Sequence, residues 1–354
     1  MNNTLYWVAS TYLAGIGPVR LKKGLENFDG DIKKFFSAQA SELTKSINLK
    51  KIENDLAWCE KNNCHVLTWE DQRYPKLLAE ISAPPVLYAL GDVELLNQAQ
   101  IAMVGTRHPT ASGIETAEQF AYALTEAGLV VTSGLALGID TASHGGALAA
   151  NGKTIAVMGT GLKHIYPKSN DELAQKISKQ GVLVSEFPLE TAPKPSNFPL
   201  RNRLISGLSL GVLVVEAAVK SGSLITARFA AEQGREVFAI PSSIHHPLAK
   251  GCHQLIRQGA KLVENVEDIL VELAPLRDTL CKPLPKPTVL KADLAGDLDD
   301  IQKQLLTQIG YESTAFNTIV IRSGLTSGEV SSILLSLELK GYVDTVLGGY
   351  CRRH

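Results

Sequence analysis

The chain has 354 residues, 45% hydrophobic and 20% charged, ordinary for a soluble globular protein, and its length sets two or three domains as the expectation. A formal net charge of -1 excludes a protein that coats nucleic acid with a uniformly basic surface, so any polyanion site must be a local concentration of Arg and Lys. Five scattered cysteines, with no second Cys or His pair at metal spacing, point to reduced thiols and no metal; the absence of a basic leader before an apolar core, or of a run of ~18 apolar residues, predicts a cytoplasmic protein without a membrane segment.

Residues 1–82 read as a helical domain, with apolar residues at helical spacing around Leu5, Val8, Leu13, Ile32, Phe35 and Phe36. Gly15-Ile16-Gly17-Pro18 interrupts the first helix. Followed by Arg20, Lys22 and Lys23, this turn resembles a helix-hairpin-helix, whose amides can face a phosphate; a plain helical connection with a solvated basic face accounts for it equally.

Residues 83–274 alternate short apolar runs with helical stretches. Strands are predicted at 101–105, 129–133, 154–158, 182–185, 210–215, 236–240 and 261–263, and helices at 112–127, 140–150, 170–180, 224–233 and 251–258. Near-continuous apolar strands separated by helices predict an α/β fold, a Rossmann-like, doubly wound and mostly parallel sheet. Such a sheet binds ligands at the carboxyl ends of its strands, where strand order reverses.

Residues 275–292 read as a Pro-rich linker and 293–354 as a winged helix-turn-helix, with helices at 298–309, 314–323 and 330–339, Thr326 or Ser327 as an N-cap, and a closing hairpin. Over 295–354 five basic groups face seven acidic ones, a net charge of -2. That balance favours a protein-contact or accessory role over sequence-specific reading of duplex DNA.

The unusual residues follow the strands of the central region. Gly105, Thr106 and Arg107, with Ser112 opening the next helix, supply a close backbone approach, hydroxyl donors and a bidentate cation. Ser133 and Gly134 repeat the arrangement, with Asp140 read as a helix cap and His144 one turn later. Gly159-Thr160-Gly161 is followed by His164 where the dinucleotide fingerprint needs glycine, so no NAD or FAD cofactor is expected. A Pro-bounded loop presents Lys194 ahead of Phe198, Arg201, Asn202 and Arg203. On an extended segment both arginines would face one way; on a helix they would diverge. Phe198 either stacks on a base or plugs the core, and Arg201 or Arg203 either meets a phosphate or pairs with Glu186 or Glu216. Ser223 and Thr226 open a further helix as an anion nest or as ordinary capping. A basic fork beside a flat ring suits unpaired polynucleotide better than a small metabolite.

In order, Val104-Gly105-Thr106-Arg107, Ser133-Gly134 through Asp140 with His144, Gly159-Thr160-Gly161 through Tyr166-Pro167, Ser185-Glu186-Phe187-Pro188, Phe198 through Arg203, and Ser221 through Thr226 resemble the DprA (Smf) family of DNA-processing proteins. The match spans the central half of the chain. The N-terminal region, SAM/helix-hairpin-helix-like, and the C-terminal winged helix are similar to arms that many members carry. Thr106 stands where Ser is common, and Pro241-Ser242 where Pro-Gly is common. The resemblance implies a non-catalytic protein that binds and protects single-stranded DNA, dimerises through the Rossmann-like domain and helps load RecA during natural transformation. It marks Arg107, Lys194, Phe198 and Arg201 as DNA-contacting positions. The alternative is a phosphoribohydrolase-like enzyme on a related fold, with Glu186 or Glu216 as its carboxylate; no Pro-Gly-Gly-x-Gly-Thr loop or paired nucleophile accompanies them. A third reading makes the winged helix a transcription regulator and the central domain its sensor.

Overall fold

Apolar runs alternating with helices bury both faces only when the runs form a sheet between helical layers. That is the architecture of the computed structural model, which describes residues 3–13, 15–39, 44, 47–280, 298–311 and 313–353. The chain divides into two units, residues 1–287 and 288–354.

The first unit runs α1 (Asn3–Ser10), α2 (Pro18–Glu26), α3 (Ile32–Ala38), α4 (Leu49–Lys61), β1 (Cys64–Thr68), α5 (Lys76–Ala79), β2 (Val86–Gly91) and β3 (Gln100–Val104). It continues through α6 (Ala111–Glu126), β4 (Val130–Ser133), α7 (Ile139–Ala149), β5 (Thr154–Val157), α8 (Asp171–Gln180), β6 (Val182–Ser185) and α9 (Asn197–Leu208). β7 (Gly211–Val214), α10 (Ser223–Glu232), β8 (Glu236–Ala239), α11 (Lys250–Arg257), β9 (Lys261–Leu262) and α12 (Val266–Leu280) complete it. The strands form one nine-stranded sheet in the order β1-β2-β6-β5-β4-β3-β7-β8-β9. β1 and β2 pair antiparallel, as do β2 and β6; the pairs from β6 to β9 are parallel.

Side chains alternate along each strand, so each strand feeds two cores. Ala102, Val104, Ile155, Val157, Val212 and Val214 face one side, with Leu204, Ile205 and Leu208 of α9 and Ala227 and Ala230 of α10. Ile101, Met103, Val131 and Leu213 face the other, under Ala117, Ala121 and Leu124 of α6 and Ile139 and Ala147 of α7. Toward β6, Ala156 and Leu183 meet Ala174 and Ile177 of α8, together with Trp7, Val8 and Leu21 of the N-terminal helices. The helices after β3 and β7 thus leave toward opposite faces. Their loops part at the carboxyl edge and leave a crevice there.

Two departures from the sequence reading concern boundaries. β1 lies in the stretch read as purely helical, and β2 was not foreseen. They pair from Cys64↔Leu90 to Thr68↔Val86, so a division at residue 82 cuts through one sheet. α12 also crosses Pro275, where the linker was expected to begin. A proline removes one backbone donor from a helix without obliging it to stop. The rest of the expected linker, from 281, lies outside the described residues.

The second unit contains α13 (Asp300–Thr307), α14 (Phe316–Ser323), α15 (Ser327–Leu339), β10 (Val343–Val346) and β11 (Gly349–Arg352), a winged-helix order around Leu305, Ile319, Val330, Leu334, Leu337 and Val343. Thr326 is the N-cap of α15. Its backbone N–H donates to Glu329 Oε2 at 2.9 Å, and its hydroxyl accepts from the Glu329 N–H at 3.4 Å, a reciprocal capping box.

Candidate nucleic-acid interface

The loop after β3 is held by Glu216, a buried residue just beyond β7. The Thr106 N–H donates to the Glu216 carbonyl at 2.8 Å, and the Thr110 N–H and hydroxyl donate to its carboxylate at 3.0 and 2.6 Å. Thr110 in turn caps α6 through the Gly113 N–H at 2.9 Å. The positive end of α6 is therefore answered from within the protein. The Thr106 hydroxyl accepts from the His108 N–H at 3.2 Å, while Arg107 projects into solvent and makes no ion pair among the described residues.

The loop after β4 is bound even more completely. Asp140 Oδ2 accepts from the Gly134 and Ala136 amides at 3.1 and 3.3 Å, and the Asn170 side chain donates to the Leu135 carbonyl at 3.0 Å. Arg201 Nη1 donates to the carbonyls of Gly134 and Val157. A Cβ on residue 134 would stand 2.5 Å from that nitrogen, so only glycine allows the approach. Asp140 clamps this loop instead of capping α7, whose N-cap is Gly138. Burial raises the Asp140 carboxyl above its ordinary value, opposed by the Arg201 charge and the two amides. Burial lowers Arg201 to about 10, which leaves it cationic at neutral pH. His144 is buried and neutral, lowered to about 3 by burial and by Arg201, with Nδ1 2.8 Å from the Thr154 hydroxyl.

Residues 197–208 are helix, with Pro199 tolerated in the first turn. Two positions on a helix differ by about 200°, so Arg201 and Arg203 diverge. Arg201 turns under the cleft. Arg203 turns away, donating to the Ser82 carbonyl at 3.0 Å and pairing with Glu186. Burial raises the Glu186 carboxyl, and Arg203 opposes the shift. Asn202 is committed as well: Oδ1 accepts from Arg201 Nε at 3.2 Å and Nδ2 donates to the Gly222 carbonyl at 3.3 Å.

Phe198 is half-buried. The Arg107 guanidinium carbon lies 5.8 Å from its ring centroid, and the exposed Tyr166 ring lies 5.4 Å away at an interplanar angle of 41°. Behind it, a Cβ on Gly159 would come within 2.7 Å of the Phe198 ring, so that glycine seats the aromatic. These rings and cations open on a cleft of about 460 Å³ between the loops after β3 and β7.

Of the expected residues, Gly105, Arg107, Phe198, Arg201, Asn202, Ser223 and Thr226 line the cleft. Gly134 lines a smaller recess beside it, with Arg107, Leu137 and Tyr166. Five expected residues are not in these walls. Ser133 is wholly buried and donates to the Met103 carbonyl at 2.6 Å; Arg203 is held by Glu186; the Thr106 hydroxyl bonds within its own loop. Ser112 and Lys194 are exposed outside the lining, and Pro195 takes the place expected for Lys194. Ser221, part of the nest read after β7, also lines the cleft, and Tyr166 and Ile225 line it without having been expected to. An aromatic next to proline after the third glycine turn was the available signal for Tyr166. Among the described residues, no cluster of three or more His, Cys, Asp or Glu could hold a metal ion, and no helix is long and apolar enough to cross a membrane.

Residues 65–274 match the model of the family DNA recombination-mediator protein A, and residues 290–349 match the DprA winged helix domain. The chain is 44% identical to Protein Smf of Escherichia coli over 305 residues, 86% of this chain and 81% of that protein. Its structure is similar to that of DNA processing protein A from Streptococcus pneumoniae, with a TM-score of 0.68 and 38% identity over 77% of this chain and 98% of that one. It is similar as well to DNA processing protein A from Helicobacter pylori, described for its single-stranded DNA binding mode, with a TM-score of 0.54 and 31% identity over 60% and 96% of the two chains. With its switch-point cleft, its aromatic pair and its winged helix, the chain belongs to the DNA recombination-mediator protein A family.

Proposed function

We propose that the cleft binds single-stranded DNA and that the protein acts as a recombination mediator on it. The supporting observation is the juxtaposition of Arg107, which makes no ion pair among the described residues, with the neighbouring, tilted rings of Phe198 and Tyr166 and the buried cation of Arg201 in one cleft. A ring exposed beside a cation takes an unpaired base on its face and a phosphate next to it; a duplex keeps its bases stacked inside and offers only the phosphate. The polar side chain best placed to read a base edge, Asn202, is spent on Arg201 and Gly222, so recognition is tolerant of sequence.

The assignment is binding, without a catalytic step. Glu216 is consumed in holding the loop after β3 and Glu186 in pairing with Arg203, and neither lines the cleft. In the cell we place the protein in the cytoplasm, as a homodimer through the central domain, protecting incoming strands and helping RecA onto them during natural transformation. Gel shifts with matched single- and double-stranded oligonucleotides, with and without RecA, test the reading. The expected result is at least ~10-fold preference for the single strand, as base stacking at one ring contributes ~1–3 kcal/mol. Equal retention of both forms would overturn it.

A further inference from the structure

The lining of the cleft includes no residue of α1–α4, yet both of its rings stand on loops that those helices support. Tyr166 belongs to the loop after β5, and Phe198 follows the loop after β6. Leu162 and Ile165 of the first loop and Leu189 of the second share one core with Trp7 and Val8 of α1 and Leu56 of α4. The loops are also tied to each other. The Gly161 N–H donates to the Thr191 carbonyl at 2.9 Å and the Lys163 N–H to the Leu189 carbonyl at 3.2 Å. A Cβ on Gly161 would run into the Pro188 and Leu189 carbonyls, so this close approach needs glycine. Among the described residues, no backbone bond between the two loops lies beyond Lys163, three residues short of Tyr166.

Side chains continue the joint from there. Lys163 Nζ lies 2.9 Å from Glu190 Oε1 in the second loop and 3.6 Å from Asp55 Oδ1 of α4. The same ammonium stands 5.1 Å from the ring centroid of Trp58, which shares a face of α4 with Asp55. His164, the next residue, places Nε2 3.4 Å from the other oxygen of Glu190. The hydrogen bond between Lys163 and Glu190 raises the ammonium above its ordinary value and lowers the carboxyl, so both stay charged across the neutral range. A lone exposed ion pair adds little to a fold. Here one cation is shared by two carboxylates, of which Asp55 is buried, and lies against an indole face.

We propose that Lys163, held by Asp55 and Trp58 of α4 and by Glu190, is a positioning residue for strand binding: it sets Tyr166 beside Phe198, and the N-terminal helices thereby shape a cleft that they do not line. Without Lys163, the segment that carries Tyr166 loses its side-chain tie to α4 and to the second loop, and the spacing of the two rings is no longer fixed. Lys163 is not itself a phosphate contact, because its charge is spent on two carboxylates and it stands outside the lining. This role rests on the single-strand reading of the cleft and names what fixes the more exposed of its two rings.

The test uses the full chain and a fluorescein-labelled oligothymidylate, titrated at several salt concentrations. Tyr166→Ala should weaken binding at least about 5-fold, the low end of one base stack. Lys163→Met, unbranched and uncharged, should weaken it about 5-fold and leave the salt slope unchanged. Added to Tyr166→Ala it should cost less than about 2-fold more, because a residue that acts through the ring then has nothing to act on. Lys163→Arg keeps a cation for both carboxylates and the indole and should recover most of the affinity. Asp55→Asn should weaken binding in the same direction, again only while Tyr166 is present. Unchanged affinity in Lys163→Met, a loss that adds in full to that of Tyr166→Ala, or a salt slope lower by about 0.7 overturns the positioning role and leaves strand binding standing. Wild-type affinity in Tyr166→Ala does the same. A wild-type chain that does not retain the oligonucleotide removes the single-strand reading and this role with it. Circular dichroism checks that each variant is folded; if Lys163→Met is not, Glu190→Gln, at an exposed position, takes its place and the same outcomes decide.

Discussion

Arg107 and Arg201 sit in one cleft and do different work. Arg107 is exposed and makes no ion pair among the described residues, so its removal should cost binding and leave the fold alone. Arg107→Ala is expected to weaken oligothymidylate binding ~10-fold at low salt and to reduce the slope of log K against log salt by about 0.7, one single-strand phosphate. Titration at several salt concentrations measures both, and an unchanged slope would remove Arg107 from the contacts. His144 contributes to the acid response of the domain. Its folded value of about 3 lies below the ordinary imidazole value of 6.5, so between them the unfolded chain takes a proton that the folded chain refuses. Stability from this residue is full above pH 6.5 and is lost as pH falls, at up to ~1.4 kcal/mol per pH unit. Asp140 and Glu186 act with the opposite sign, because their raised folded values favour the native state as they protonate. His144→Asn should therefore shrink the drop in Tm between pH 7 and pH 5. A drop equal to that of the wild type would place the acid sensitivity elsewhere.

At the scale of elements, α9 determines which predicted residues meet. Its segment was legible as functional from its composition, but not as a helix, since Phe198-Pro199 reads as extended chain and the apolar run follows only at Leu204. Helical winding sends Arg201 under the cleft and Arg203 to Glu186, a separation that residue types alone do not fix. β3 to β8 were legible because buried parallel strands read as unbroken apolar runs. β1 was not, because Cys64-His65-Val66-Leu67-Thr68 mixes polar residues at an antiparallel edge and its partner lies beyond α5. Ser133 followed a glycine-turn pattern correctly, yet the pattern does not say which way a hydroxyl points. The same helix makes Arg201 a structural cation. Arg201→Leu would strand the carbonyls of Gly134 and Val157 and leave Asp140 buried without its counter-charge. Breaking a buried charge arrangement of this kind costs about 3–5 kcal/mol. Urea unfolding of Arg201→Leu should show a loss on that scale, beyond any loss of DNA binding; a loss under 1 kcal/mol would mean the loop holds without it.

For the whole molecule, the question is which unit carries the DNA. The cleft is built entirely within residues 1–287. In the second unit, α15 occupies the place of a recognition helix, and its sequence from Ser327 to Leu339 contains two glutamates and no Lys or Arg. Its exposed residues are Ser327, Gly328, Glu329, Ser331, Ser332, Leu335, Glu338 and Leu339, with Leu335 and Leu339 58% and 81% exposed. A helix seated in a major groove is held by cations on phosphates before it reads any base. One without cations has no such hold. Removing residues 288–354 is therefore expected to leave single-strand affinity within about a factor of two and the salt slope unchanged, since no phosphate contact is lost. Duplex retention should not fall either. If instead the truncated chain loses its single-strand affinity while its circular dichroism and urea midpoint stay native-like, the winged helix supplies the phosphate contacts. The cleft at the β3–β7 switch point would then be a ligand pocket and not the strand's seat.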